Sequence, residues 1–161
     1  MTSVHRSLVL ALGDEQCTRE LGDAETMPPA AWAAGVERVR AARYGMLPRW
    51  EAWRRLGHDM AQRLIHADES RLLLESMRLL PLQRAFASVV VPIAERLRRP
   101  LELDFLPTPD GGVVVVRGSI VLHPAVWQGS FEGLIAEIRG RWSVALLQLG
   151  PQRIAMLITR Y

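Results

Sequence analysis

The side chains of this sequence that could carry out covalent chemistry are few. Cys17 is the single cysteine among 161 residues, and His5 lies twelve residues before it. A thiol beside an imidazole is the arrangement that activates a cysteine nucleophile. Cys17 lies in a polar N-terminal stretch, where an inert packed or exposed thiol is the commoner role. We therefore predict no catalytic residue and keep an enzyme acting through Cys17 as a remote alternative.

Two histidines are the best candidates for ligands of a metal or a haem. His58 and His66 lie eight residues apart on a predicted helix, about 80° apart around its axis. With Glu51 or Glu69 they could supply two or three metal ligands, or one of them could be the axial ligand of a haem. Metal-binding helices usually present ligands at i and i+3 or i+4, and neither histidine has a second histidine at that spacing. We interpret both as surface or capping residues and predict no metal and no cofactor.

Composition excludes several further function classes. There is no glycine-rich phosphate loop, no Gly-x-Ser-x-Gly elbow and no His-Glu-x-x-His helix. Because the sequence has no lysine, it cannot form a Schiff base. A single cysteine excludes an intrachain disulfide and a multi-cysteine zinc site. The chain is therefore predicted not to be an enzyme.

The charges do not form the patch that a nucleic-acid partner requires. Seventeen acidic and twenty basic residues give a formal net charge of +3, and every basic residue is arginine. The absence of lysine and asparagine, whose codons are A/T-rich, indicates a GC-rich bacterial genome. The arginines mostly alternate with acids, so no nucleic-acid partner is predicted. Two short basic clusters are exceptions that we interpret as solvated helix faces or ends: Arg38-Arg40-Arg43 and Arg96-Arg98-Arg99.

Nothing in the sequence predicts a membrane segment. No stretch approaches the roughly 18 apolar residues needed to span a bilayer. The short apolar stretch Leu8–Leu12 is followed by Gly13-Asp14-Glu15 rather than by a small-residue cleavage site. We expect a cytoplasmic protein with no membrane partner.

The first two-thirds of the chain is predominantly helical in pattern. Leu8–Leu12 could be a strand or a short helix, and the polar run to Glu25 is predicted to be a loop. Apolar residues spaced by three and four predict helices over Ala30–Gly45 and Pro48–Ala67, then one ending at Leu80. After Pro81 the helical spacing continues over Phe86–Leu97, where Pro92 should kink or restart the helix.

At Pro100 the period of the pattern changes to that of strands. Strands are predicted over Leu101–Phe105 and Val113–Leu122, joined by the turn Pro107–Gly112. A helix capped by Ser130 follows, and then a hairpin of strands Ser143–Leu149 and Arg153–Thr159. The predicted fold class is α+β, with four to five N-terminal helices packed on a small antiparallel sheet made by a C-terminal β-β-α-β-β unit. We expect a single domain, 1–161, in which 1–29 could be a partly ordered arm.

The five tryptophans are the unusual feature of the composition. Rings at helical spacing usually belong to the core, which is our interpretation of Trp53 and Trp142. We place Trp127 in a loop and expect it to be the most exposed. The alternative is an apolar pocket or partner surface between helices and sheet. The residues predicted to line it are Trp50, Trp53, Phe105, Trp127 and Phe131, with His123 and Arg117 as polar contacts.

Two stretches together resemble a known family. The segment Leu47–Ala61, which contains Leu56-Gly57, resembles the "LG" helix of bacterial 4-vinyl-reductase-type (V4R) domains. Ser130–Ile138 and the strand pair after it resemble their C-terminal F-x-G-x-L-x-x-x-L helix and closing hairpin. The order of elements is also similar to a family of short myxobacterial proteins, and the resemblance covers about residues 30 to 161.

The wider superfamily implied by this resemblance includes haem-NO-binding gas sensors, V4R domains and TRAPP vesicle-tethering subunits. It implies helices over a small twisted sheet, with an apolar pocket between them that takes haem, an acyl chain or a protein partner. Residues 101–161 contain no cysteine, so the zinc-binding cysteine set of V4R domains is missing. The Tyr-x-Ser-x-Arg motif that binds the haem propionates is missing as well.

These observations favour a cytoplasmic bacterial regulatory module that is not an enzyme and binds a small apolar ligand or a protein partner. A second hypothesis is a homodimeric scaffold or signalling adaptor, because an apolar C-terminal strand ending at Tyr161 would leave a sheet edge for another chain. A third is a haem or metal sensor acting through His58 or His66.

Overall fold

The structure is a computed structural model and describes residues 3–67, 71–87, 102–118, 122–138, 140–150 and 152–161. The helix predicted over Phe86–Leu97, with its kink at Pro92, lies mainly outside these residues. In the described part of the chain, no helix is both long and apolar enough to cross a membrane.

The N-terminal segment contains more regular structure than its sequence pattern predicts. It contains two helices, α1 and α2, and the strands β1 and β2, which precede and follow them in the chain, pair as a two-stranded antiparallel sheet. The prediction of a loop up to Glu25 is wrong for about half of that stretch, which forms α2. Asp14 caps this helix by accepting a hydrogen bond from the Cys17 backbone N–H at 2.7 Å. The bounds are β1 Val4–His5, α1 Arg6–Leu12, α2 Glu15–Leu21 and β2 Thr26–Met27.

The long helices begin and end close to their predicted positions. A proline precedes both α3 and α4. Proline is well tolerated at the start of a helix, because it lacks only a backbone N–H that would have no hydrogen-bond partner within the helix. The bounds are α3 Pro29–Tyr44, α4 Arg49–Ile65, α5 Arg71–Leu79 and α6 Leu82–Ala85. Trp32, Val36 and Val39 form the buried stripe of α3, and Leu56 and Met60 lie on that of α4.

The C-terminal third forms a four-stranded antiparallel sheet with strand order β3-β4-β6-β5, which confirms the predicted α+β class. The strands are β3 Glu102–Thr108, β4 Gly111–Arg117, β5 Trp142–Gly150 and β6 Arg153–Arg160. The predicted hairpin of the last two strands is present. The C-terminal strand is not a sheet edge, however, because β6 pairs with β4 on one side and β5 on the other. The edges are β3 and β5, so the stated basis for the scaffold hypothesis is wrong.

The helix between the two strand pairs begins seven residues earlier than expected. It runs as α7 over Pro124–Ile135, and the His123 ring caps it by accepting a hydrogen bond from the Ala125 N–H at 3.2 Å. The prediction that Ser130 is the cap is wrong: it lies buried in mid-helix and donates to the Gly57 carbonyl. The prediction that Trp127 lies in an exposed loop is also wrong, because it is in α7 and 3% exposed.

Helices α4 and α7 lie against each other through glycines. A Cβ on Gly129 would collide with the Arg54 carbonyl, and one on Gly57 would collide with the Val126 carbonyl. A Cβ on Gly133 would lie 2.7 Å from the His58 carbonyl oxygen. Side chains larger than hydrogen would push the two backbones apart.

The core consists of two apolar clusters, and α4 and α7 contribute to both. The sheet-side cluster includes Ala61 and Ile65 of α4 together with Phe131 of α7. The N-terminal cluster includes Leu56 of α4 and Val126 of α7, together with the buried residues of α1–α3. The pair of helices is therefore the common wall of the two clusters.

We predict that Gly129→Ala destabilises the chain although alanine is the better helix former. The added methyl meets the backbone of α4, which cannot rotate away, so we expect a loss of about 3 kcal/mol. Urea unfolding followed by circular dichroism measures it. The matched control is Gly150→Ala, where a Cβ would be in ordinary contact, 3.5 Å from the Arg153 carbonyl oxygen. Equal stability of the two variants would show that the helices do not approach this closely.

We predict that the cap of α2 makes stability depend on acid pH. The Arg38 guanidinium, 2.7 Å from Asp14, is the main cause that lowers the pKa of this carboxyl from 3.8 to about 2. The stabilisation is therefore complete above pH 3.8 and is lost as the pH falls through about 2.

Asp14→Asn keeps a capping oxygen and loses the charge, so it should be less stable than the native chain by about 1 to 2 kcal/mol at neutral pH. Urea unfolding at a series of acid pH values should show this difference closing. Asp23→Asn, at an exposed acid, is the control. A difference that does not change with pH would contradict the assignment.

Candidate functional site

Three of the predicted site residues meet at the surface where α4 begins beside the cap of α7. The Trp53 and His123 rings stack with centroids 5.5 Å apart, and the Trp50 ring meets the imidazole edge-on at 5.1 Å. The Arg40 guanidinium lies 5.1 Å from the Trp53 ring centre, in the geometry of a cation–π contact. We call Trp50, Trp53 and His123 the ring cluster. Its members are half-buried except Trp50, which is 40% exposed.

The surroundings of the His123 imidazole favour its neutral form. Burial, and then the positive charge of Arg49, lower the pKa of His123 below its ordinary value of 6.5. A neutral imidazole can accept the capping hydrogen bond from Ala125, which a doubly protonated ring could not. Trp50 is held from its other side, because its indole N–H donates to the Gln128 side-chain oxygen at 3.3 Å.

A polar groove of about 430 Å³ lies next to the ring cluster, between α4, α7 and β5. Arg54 crosses it, donating to Glu132 at 2.7 Å and to Glu51 at 3.1 Å. Gln128 donates to the Val144 carbonyl at 3.0 Å and ties α7 to the sheet. The wall residues are Glu51, Arg54, Arg55, His58, Gln128, Glu132, Trp142, Ser143, Val144 and Tyr161.

His58 lines this groove as part of a hydrogen-bonded chain. Its Nδ1 lies 3.2 Å from one carboxylate oxygen of Asp59, whose other oxygen accepts from the Tyr44 hydroxyl at 2.5 Å. Burial and the Asp59 carboxylate raise the pKa of Tyr44 to about 12, so the phenol stays protonated. The chain connects α3 to α4 and orients the imidazole.

The predicted aromatic residues of the core lie elsewhere. Phe131 and Trp127 are buried in the sheet-side cluster, and Phe105 packs against it from β3. Phe86 stacks on Phe105 at 4.6 Å and on Phe131 at 6.0 Å between ring centroids. These rings form a closed stack of apolar side chains between the sheet and α7.

Arg117 joins neither the ring cluster nor the core. It lies at the end of β4, exposed, in an ion pair with Asp104 of β3. The seven predicted residues are thus divided among a surface ring cluster, an aromatic core and one exposed arginine at the end of β4. Sequence reasoning missed Gln128 and Glu132, because a polar residue in an apolar helix carries no signal of what it faces.

The thiol and the remaining histidines have structural partners. Cys17 is fully buried, and burial is the main cause that raises its pKa to about 11, so the thiol is not activated at neutral pH. His5 caps α1 through its Nδ1, which accepts from the Ser7 N–H. His66 Nε2 lies 3.0 Å from the Glu137 carboxylate. Across the described residues, no group of three or more potential ligands is placed to hold a metal ion.

Comparison with known proteins gives similarity only at the level of structure. No family model matches the sequence, and no curated protein matches it. A doubly substituted Tt H-NOX domain superposes with a TM-score of 0.64 at 14% identity, covering 96% of this chain and 91% of that one. The chain has the fold of H-NOX domains.

Two further H-NOX structures agree with this result. An oxygen-binding H-NOX domain related to soluble guanylate cyclases gives a TM-score of 0.57 at 14% identity, covering 96% of this chain and 91% of that one. The H-NOX from Shewanella woodyi in its Fe(II)CO state gives 0.55 at 13% identity, covering 97% and 94%. The haem-NO-binding part of the predicted resemblance is thereby confirmed for the fold, and the V4R part stays a prediction.

The residues present do not fit a haem. Haem iron in proteins is held by histidine, by a cysteine thiolate, by tyrosine or by methionine together with histidine. Residues 67–122 contain no histidine, cysteine or tyrosine. Met77 and Met156 are the thioethers in the sheet-side cluster. The four histidines have other places: His5 and His123 cap α1 and α7, His58 lines the polar groove, and His66 contacts Glu137. A porphyrin lying against this sheet would also have to displace the phenylalanine stack.

We predict that the tryptophan fluorescence of the chain titrates with His123. Protonated imidazole quenches a stacked indole, so lowering the pH should reduce emission with a midpoint below 6.5. Because folding disfavours the charged ring, stability should also fall as the pH drops below 6.5. His123→Asn, which keeps a capping side chain, should abolish the transition, and His66→Asn should leave it unchanged. A transition that persists in His123→Asn would place the titrating group elsewhere.

Proposed function

We propose that this chain is a non-catalytic regulatory domain that uses the H-NOX fold without haem and acts by binding a protein partner. The fold similarity supports a sensing or switching role. One structure with this fold is the oxygen complex of an oxygen-binding H-NOX domain, and another is described as giving insight into the mechanism of H-NOX activation. For this chain, the sensing or switching role is part of our proposal.

The observation that carries the proposal is where the rings lie. The core rings, Phe86, Phe105 and Phe131, pack on one another, and none of the four histidines lies among them. The rings at the surface, Trp50 and Trp53 with His123, are ordered and partly open to solvent. Ordered, partly exposed tryptophans are typical of residues that dominate binding to a partner.

A haem or gas sensor is the second candidate function, and the fold similarity to H-NOX domains is the observation that favours it. The histidines with the chemistry to ligate iron, His58 and His66, face a polar groove and the Glu137 carboxylate respectively. Neither is a member of the sheet-side cluster, where an apolar porphyrin would lie. The residues of this chain therefore support the haem-free proposal over the sensor.

An apolar ligand held against the sheet is a variant of the main proposal. It would contact Phe105, Trp127 and Phe131, which the sheet-side cluster brings together. Native mass spectrometry of the purified chain tests for it, because a retained apolar molecule adds its mass to the folded protein. Loss of that mass in Phe105→Ala would assign the ligand to this cluster.

We predict that the chain does not take up haem. Titration of the purified protein with hemin should give no saturable one-to-one Soret band, because the sheet-side cluster has no histidine to ligate the iron. The control is the same titration of an H-NOX domain that binds haem. A stoichiometric band that disappears on alanine substitution of one of the four histidines would establish the haem sensor and overturn the proposal.

A further inference from the structure

The turn between α3 and α4, together with the first turn of α4, exposes three apolar side chains within five residues. Met46 is 99% exposed, and Leu47 and Trp50 are each 40% exposed. We call these three residues the α3–α4 tip. Single exposed apolar residues need no explanation, but a contiguous group beside an ordered aromatic cluster is typical of an interaction surface.

The α3–α4 tip is held in place at Trp50 and at the backbone of Leu47. Trp50 is fixed by its hydrogen bond to Gln128 and by its edge-on contact with His123. Pro48 precedes α4 and restricts the turn, and the Leu47 N–H donates to the Tyr44 carbonyl at 3.0 Å. An anchor that is already ordered loses little conformational entropy when a partner arrives.

The basic cluster Arg38-Arg40-Arg43, interpreted from the sequence as a solvated helix face or end, precedes this tip in the chain, and Arg49 lies within the same stretch as the tip. Residues 38–50 contain four arginines and no acidic residue. Two of the four charges are compensated inside the fold, because Arg38 pairs with Asp14 at 2.7 Å and Arg40 pairs with Glu37 at 3.0 Å.

The other two arginines leave positive charge at the tip. Arg43 donates to the Gly13 carbonyl, which is neutral. Arg49 is exposed and forms no salt bridge with any described carboxylate. Its charge contributes to lowering the pKa of Glu37, after Arg40, and that of His123, after burial. Along the chain, Arg43 and Arg49 stand three residues before and three residues after Met46.

We propose that the α3–α4 tip is the docking surface for an amphipathic segment of a protein partner that carries apolar and acidic side chains. The proposal rests on the proposed partner-binding function and names its surface and chemistry. Apolar residues of the segment would pack on Met46, Leu47 and Trp50, and its carboxylates would pair with Arg43 and Arg49. Tryptophan, methionine and arginine are the types enriched at protein interfaces.

The same charges argue against other occupants. A second copy placed by two-fold symmetry would bring like-charged arginines to one interface, which is repulsive. An anionic membrane surface is usually recognised by clusters of about four to eight basic residues, against two here. In addition, the Trp50 indole N–H already donates to Gln128, whereas an interfacial tryptophan would offer it to a headgroup.

The test is selection of peptides from a random displayed library on the immobilised full chain. Enriched peptides should combine apolar with acidic residues. The affinity of a synthetic copy should fall about tenfold or more in Met46→Asp and in Arg49→Glu. Both positions are exposed, so folding should survive, which circular dichroism checks. The matched controls are Leu79→Asp, on an exposed leucine of α5, and Arg19→Glu, on an exposed arginine of α2, neither of which should change the affinity.

Four outcomes of the peptide selection would overturn this proposal. These are no enriched peptide, selected peptides without acidic residues, binding that Met46→Asp and Arg49→Glu leave unchanged, and equal loss in the control variants. Sedimentation with phosphatidylglycerol vesicles that Met46→Asp abolishes would assign the tip to a membrane, and a dimer lost in the same variant would assign it to a second copy. The hemin titration is independent of these readouts, so the failure of each proposal is distinguishable.

Discussion

The contact between α4 and α7 is the constraint on which the rest of the structure depends. Gly57, Gly129 and Gly133 let the two backbones touch, at a distance that any side chain would prevent. Polar bonds then hold the pair along its length, including Gln62 donating to the Gly133 carbonyl at 2.6 Å and Arg54 donating to Glu132. Backbone contact without side chains between is close to rigid, because no rotamer can absorb a shift.

Both halves of the molecule are built on this pair. The sheet packs on one side through Phe131 and the residues around it, and the N-terminal helices pack on the other side through Leu56 and Val126. The N-terminal cap of α7 therefore lies over the first turns of α4. That placement creates the ring cluster, since His123 and Trp53 are 70 positions apart in the chain and stack directly.

The core and the surface of this H-NOX-like fold have different chemistry. The sheet-side cluster is closed by stacked phenylalanines and lacks a histidine, so it supports packing rather than ligation of iron. The groove and the ring cluster, in contrast, carry the arginines, carboxylates and indoles. The charged and aromatic side chains suited to binding a partner therefore lie on the outer face of the α4–α7 pair.

The sequence by itself determined the elements of the fold, because the change from a period near 3.6 to a period of 2 is a local property. The helices at 29–44 and 49–65 and the strand order in the chain could be predicted in this way. It could not predict that Trp127 is buried, since burial depends on residues distant in the chain. The Asp14 and His123 caps are local hydrogen bonds to Cys17 and Ala125, which our predictions missed. For the candidate site, the sequence predicted which types of residue take part but not which of them lie together. Which rings meet, and which arginines keep a free charge, was decided by the tertiary structure, because stacking and ion pairing join positions that are distant in the chain.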